Sequence, residues 1–306
     1  MEGYNLSRPY IPKSIETNSN MLGFKFDWIQ IIESLRKDDS KIFSGQSLYN
    51  DLNLRLIDHP KYKVEHISIS SKVQLTKFLN DLAGRIQKEQ EVPILHFSFH
   101  GYQEGIEISP SNEKVTWREL KELITPINIA TQLNLMINFS SCYGQNIFKI
   151  YDPIERAAFL LSIGPKKKIM PNKLYDYYLN FYWTLIETKD IIQSIESKGK
   201  LKNEFLSIFD YSYFLAYLDE AKKTCDKNRL KGRMTQQTNK LIKKGFKVED
   251  KAKFISTKSI EFKGRMMLNL ANIFYHHFMV DLYPENAIRF RVDEHRLKSN
   301  TRDNTL

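Results

Sequence analysis

The sequence predicts an α/β protein: a mostly parallel sheet with helices on both faces, followed by an α-helical C-terminal extension. Two observations carry this expectation. Through residue 220, short apolar or alternating runs of strand length alternate with longer stretches of helical periodicity, the pattern of βαβ units. Beyond residue 220 the periodicity is helical and the charge changes. Residues 221–306 hold 20 Lys/Arg against 9 Asp/Glu, a net of +11, whereas residues 1–220 hold 26 against 27.

Residues 1–20 are polar with two prolines and read as a loose arm. FDWIQIIESL (26–35) is an apolar run stopped by RKDDS, as for a buried strand entering a loop. SGQSLYNDLNLRL (44–56) has a Ser-Gly start and a leucine-rich helical pattern, and KVEHISIS (63–70) alternates as a strand. In the next segment Val73, Leu75, Phe78, Leu79, Leu82 and Ile86 fall largely on one helical face, with Ser71 as the N-cap. VPILHFSFHG (92–101) is a third strand, apolar enough for the centre of a parallel sheet. GYQEGIEIS reads as a hairpin, VTWRELKELI (115–124) as a helix opened by Thr116, and LNLMINFSSC (133–142) as a fourth strand. AAFLLSIG (157–164) and SIFDYSYFLAYL (207–218) are two further strand candidates. Between them Leu174, Tyr177, Tyr178, Phe181, Tyr182, Leu185 and Ile186 form a stripe at helical spacing, expected to pack into the core rather than to stack on bases. The expected organisation is an arm over 1–20, an α/β domain over 21–220 and a basic helical extension over 221–306.

Several function classes lose their machinery at this level. A hydrophobic fraction of 42% with 12% aromatic residues belongs to a globular chain. No run approaches the roughly 18 to 20 apolar residues of a membrane span, and the N-terminus has no apolar signal region, so no membrane association is expected. Two cysteines, Cys142 and Cys225, make neither a disulfide scaffold nor a cysteine zinc site, and a reducing cytoplasm is the expected location. No P-loop, no GxGxxG after a strand and no HExxH is present, so neither cofactor nor metal is expected. His276 and His277 are adjacent on a helix and cannot face one ligand together, and Asp38-Asp39 reads as a solvated turn.

Functional groups in an open α/β sheet gather at the carboxyl ends of the strands. The third strand ends HFSFHG, delivering His100 and Gly101, and the fourth ends NFSSCYG, delivering Cys142 with Gly144 two positions on. Strands consecutive in the chain are commonly neighbours in the sheet, so an imidazole and a thiol are expected side by side. That pairing serves nucleophilic catalysis: the thiolate attacks, and the imidazole takes and returns the proton. The Gly101 and Cys142 amides are candidate oxyanion donors. Each residue also has an ordinary reading: a buried, inert cysteine ending an apolar strand, and a satisfied histidine at a strand end. His96 alternates with Ser98 and His100 on one face and is expected to be buried and hydrogen-bonded.

HFSFHG and NFSSCYG, with 42 positions from His100 to Cys142, resemble the caspase-like cysteine peptidases, closest to the bacterial CHAT-type proteases. The stretch from AFLLSIG through LYDYYLNFYWTLIE is also CHAT-like, and the resemblance covers roughly residues 25–220. It implies a caspase-like fold, a His100–Cys142 dyad, an oxyanion hole from the Gly101 and Cys142 backbone, and cleavage of a protein substrate without a cofactor. By analogy it also implies control by a regulatory protein partner or accessory signal, commonly in antiviral defence. The sequence departs from the caspase Gln-Ala-Cys-x-Gly signature, since Ser140-Ser141 precede the cysteine, and no set of substrate-binding arginines maps onto it. Cleavage after Asp is therefore not implied. Glu33, Ser141 and Asp210 are the candidate substrate contacts, the two carboxylates favouring a basic substrate residue. The alternative from another class is a catalytically silent α/β scaffold whose basic extension binds nucleic acid or an acidic protein.

Overall fold

A strand buried along its whole length organises the first part of the chain. In the computed structural model, which describes residues 23–36, 38, 43–197, 204–224, 227–245 and 247–290, this is β1 (Trp28–Ser34), all seven residues of which are buried. The arm expected over 1–20, Asp39, Cys225 and the last residues of the chain lie outside the described residues. After β1 the order is α1 (Gly45–Arg55), β2 (Lys63–Ser68), α2 (Lys72–Glu89), β3 (Pro93–Tyr102), β4 (Gly105–Ile108), β5 (Glu113–Thr116), α3 (Trp117–Ala130), β6 (Met136–Ser140), β7 (Leu161–Pro165), α4 (Pro171–Thr188), α5 (Ile191–Glu196) and β8 (Phe205–Phe209). Four helices follow: α6 (Asp210–Thr224), α7 (Lys227–Lys243), α8 (Lys251–His277) and α9 (Asn286–Arg289). Contacts divide the chain into two compact units, Met1–Ser212 and Tyr213–Leu306. The packing boundary, after Ser212, falls a few residues before the charge boundary at residue 220.

In the first unit the sheet order is β2-β1-β3-β6-β7-β8, with β4 and β5 folded out from the end of β3 as antiparallel partners. All main-sheet pairings are parallel except β7–β8. Side-chain alternation divides the faces. Trp28 of β1 lies under Arg85 of α2, and Phe139 of β6 meets Trp117 of α3, whereas Ile31 and Glu33 approach Gly45 of α1, and His96 and Asn138 reach Tyr182 of α4. The seven-residue stripe of α4 is buried throughout and packs on this second face. Helices thus cover both faces, and the apolar strands supply the core between them.

The helix starts follow local chemistry. Ser44 and Ser71 cap α1 and α2 by accepting from Ser47 N and Gln74 N, and Thr116 with Glu119 forms a full capping box on α3. Three expectations change. The run 207–218 is strand only to Phe209; the rest is helix, with Phe214, Leu215 and Leu218 buried at helical spacing. The run 157–164 becomes strand only from Leu161 and ends at Pro165. The helix expected over 115–124 continues through Pro126 to Ala130, where burial of Ile124 and Ile127 and the two hydrogen bonds of the Asn128 amide offset the lost backbone bond.

In the second unit α7 and α8 pack on one another, with Leu230, Met234, Ile255, Leu270 and Phe274 buried. His277 is buried and stacks on Phe214 while His276, about 100° round the same helix, is exposed. Among the described residues no group of three or more His, Cys, Asp or Glu is placed to hold a metal ion. None of their helices is long and apolar enough to cross a membrane.

Candidate active site

The register of β3 and β6 decides where the chemistry-bearing ends fall. These strands pair in parallel from Ile94↔Met136 to Ser98↔Ser140, so His100 and Cys142 each stand two residues beyond the last partners, at the carboxyl end of adjacent strands. There the two strands part. β3 runs on into the hairpin, where His100 pairs with Glu107, while β6 ends and the chain turns through Tyr143 at φ 59° into a 3-10 segment, Gly144–Ile150. His100 is exposed and Cys142 is half-buried.

Close backbone approach holds this turn. A Cβ on residue 101 would sit 1.9 Å from the Cys142 carbonyl oxygen and 2.9 Å from its nitrogen, so only glycine lets β3 lie against the Cys142 peptide. A Cβ on residue 144 would meet the Phe139 Cβ at 2.3 Å, and Gly144 in turn packs against the backbone of Gly164 in β7. The nucleophile candidate is therefore gripped from both neighbouring strands. Its Sγ has the Ile169 carbonyl as a polar neighbour, at 3.9 Å, in the segment between β7 and α4. The same segment accepts from Tyr143 N at Lys167 O, 3.4 Å, and from Gln145 Nε2 at Lys166 O, 3.5 Å.

Beneath His100 on the same face, His96 is fully buried, and desolvation lowers its pKa to about 3. The ring is therefore neutral, and its Nδ1 accepts from the Tyr182 hydroxyl at 3.0 Å, which itself accepts from Asn138 Nδ2 at 2.8 Å. Burial also raises the Tyr182 hydroxyl well above its usual range. This network is packing beneath the site and has no solvent access.

Of the three candidate substrate contacts two are buried at this edge and the third lies at the other end of the sheet. Glu33 does end β1 at the same edge, but its side chain is buried: Oε1 accepts from Gly45 N at 2.6 Å and Oε2 pairs with His66 Nε2 at 3.0 Å. The carboxylate ties the start of α1 into the crevice between β1 and β3, so it serves the fold. Ser141 is 1% exposed, its hydroxyl without a hydrogen-bond partner among the described residues, because one step along from Ser140 the alternation turns the side chain inward. Asp210 follows β8, and β8 runs antiparallel to β7, with Phe209 opposite Leu161. Asp210, whose N–H donates to Leu160 O at 3.0 Å, therefore lies at the amino end of the parallel strands, across the sheet from His100 and Cys142.

On the β7 side of Cys142 stand Lys166, Lys167 and Lys168, all exposed. They were not among the sequence-derived candidates. The available signal was a lysine run directly after a strand ending Ile-Gly-Pro, which puts it at the carboxyl edge of the strand beside the cysteine strand.

No family model matches the sequence, and no curated protein matches it.

Proposed function

We propose that the chain is a cysteine peptidase of the caspase-like kind, with Cys142 as nucleophile and His100 as general base and proton donor. The supporting observation is the β3–β6 register, which brings the two residues to the same end of adjacent strands with Gly101 against the Cys142 peptide. In this reading the His100 imidazole accepts the thiol proton and Cys142 Sγ adds to the scissile carbonyl carbon. The oxyanion so formed is met by the Gly101 and Cys142 amides, which adjoin one another. Collapse expels the amine, which takes the proton from His100, and water added with His100 as base then hydrolyses the thioester to free the acid and the thiol. No cofactor enters these steps. The protein substrate, a regulatory protein partner, a role in defence and a cytoplasmic location belong to this proposal through the family resemblance alone.

The test is covalent labelling by an electrophilic peptide probe. Labelling is expected in the wild type and in a Cys225→Ala chain and lost in Cys142→Ala, with a large rate decrease in His100→Ala. Labelling that follows Cys225, or that ignores His100, overturns the assignment.

A silent scaffold with a basic binding extension is the second reading. It is favoured by the exposed Lys231, Arg233, Lys240, Lys243 and Lys244 on and after α7. Salt-sensitive binding of an oligonucleotide that disappears when these five are reversed in charge, with no probe labelling, supports it over the peptidase.

A further inference from the structure

We propose that the Lys166–Lys168 segment is a recognition surface for acidic residues of the peptide substrate. The inference rests on the peptidase reading for the word substrate, but not for the binding itself. The segment leaves β7 at the carboxyl edge and runs beside the cysteine turn, held there by Lys166 N to Glu204 O at 2.8 Å and by the Tyr143 and Gln145 contacts to its carbonyls. Its backbone is thus fixed against the turn while its three ammonium groups face water. Among the described residues none of the three is ion-paired, and Glu204, which the start of β8 brings to this segment, is already engaged by Lys173 at 3.3 Å. The other carboxylate considered for recognition at this edge, Glu33, is buried and paired. Glu107, opposite His100 in the hairpin, lies on the other side of the site and is itself 3.8 Å from Arg36. The β7 side of the thiol therefore carries uncompensated positive charge, which complements Asp or Glu near the scissile bond and disfavours Lys or Arg. This reverses the preference for a basic residue expected from Glu33 and Asp210.

A peptide is favoured over nucleic acid because the lysines adjoin a half-exposed thiol and an exposed imidazole, groups suited to acyl chemistry. The experiment uses the full chain with Cys142→Ala, so that nothing is turned over, and measures binding of a labelled Glu-rich peptide, its Gln-for-Glu and Lys-for-Glu counterparts, and a single-stranded oligonucleotide. The Glu-rich peptide is expected to bind at least about tenfold more tightly than the Gln form at low salt, with the advantage shrinking as salt rises. Combined Lys166→Glu, Lys167→Glu and Lys168→Glu should abolish the advantage, while Lys240→Glu with Lys243→Glu in α7 should preserve it. The proposal is overturned if the loop reversal leaves peptide binding unchanged, if the α7 reversal alone removes it, or if only oligonucleotide binding responds to the loop. Labelling of the Cys142-containing chain by an uncharged peptide electrophile separates the two ideas. Lysine-dependent binding without labelling removes the peptidase and keeps the acidic-peptide surface; labelling without charge preference does the reverse.

Discussion

Gly101 and Cys142 touch through their backbones: the space a methyl group on residue 101 would need is filled by the Cys142 carbonyl oxygen, 1.9 Å from the Cβ position. The candidate oxyanion donors and the nucleophile are set by this contact, so it makes the first prediction. Gly101→Ala forces β3 and the cysteine turn apart. Overpacking against backbone should cost about 1 to 3 kcal/mol, read as a lower urea midpoint, and should depress probe labelling of Cys142 even where the protein is folded. A wild-type midpoint together with wild-type labelling would show that the contact is not tight.

Glu33→Ala tests the reassignment of that carboxylate from substrate to scaffold. It leaves the Gly45 amide and the His66 imidazole without a buried acceptor, at a cost of about 1 to 3 kcal/mol. The denaturation midpoint should fall while labelling of Cys142 per folded molecule stays near wild type. The opposite pattern, stability kept and labelling lost, would restore a role for Glu33 at the site.

Tyr182→Phe removes one oxygen that satisfies both His96 Nδ1 and Asn138 Nδ2. Two buried polar groups lose their partner in a close-packed core, so a loss of about 1 to 3 kcal/mol is expected. Tyr175→Phe, which removes a hydroxyl bonded to Asp51 in a less buried place, is the comparison and should cost less. Equal losses would count against the buried network.

His96 also gives the fold a dependence on pH. Its pKa is lowered from 6.5 to about 3 in the folded chain, so below 6.5 the unfolded chain binds a proton that the folded one does not. Stability is therefore unaffected by this group above pH 6.5, declines as pH falls, and the loss is complete only near the folded value. The slope approaches about 1.4 kcal/mol per pH unit, or roughly 2 kcal/mol from pH 6.5 to 5. Urea midpoints across that window should fall in the wild type and fall less steeply in His96→Leu. The facing Tyr178 and Tyr182 hydroxyls stay neutral there, since burial raises both.

What could be read along the chain was what periodicity and local chemistry control. The α4 stripe, the serine and threonine caps and the apolar runs of β1, β3 and β6 each depend on residues a few positions apart. Errors arose where that range is too short. Val73 sits about 160° round the helix from Leu75 and is exposed. The aromatic run after Phe209 fits a strand or a helix equally until burial on one side selects the helix.

The strand ends HFSFHG and NFSSCYG, and with them His100 and Cys142 as a candidate pair, were determined by sequence alone, because apolar length and a following glycine are local properties. Only the tertiary structure decided which charges surround the pair. Strand direction sent Asp210 to the far end of the sheet, helix packing closed over Glu33, and the parallel pairing of β6 with β7 brought Lys166–Lys168 beside Cys142. Direction, burial and pairing are relations between segments distant in the chain, and no local pattern encodes them.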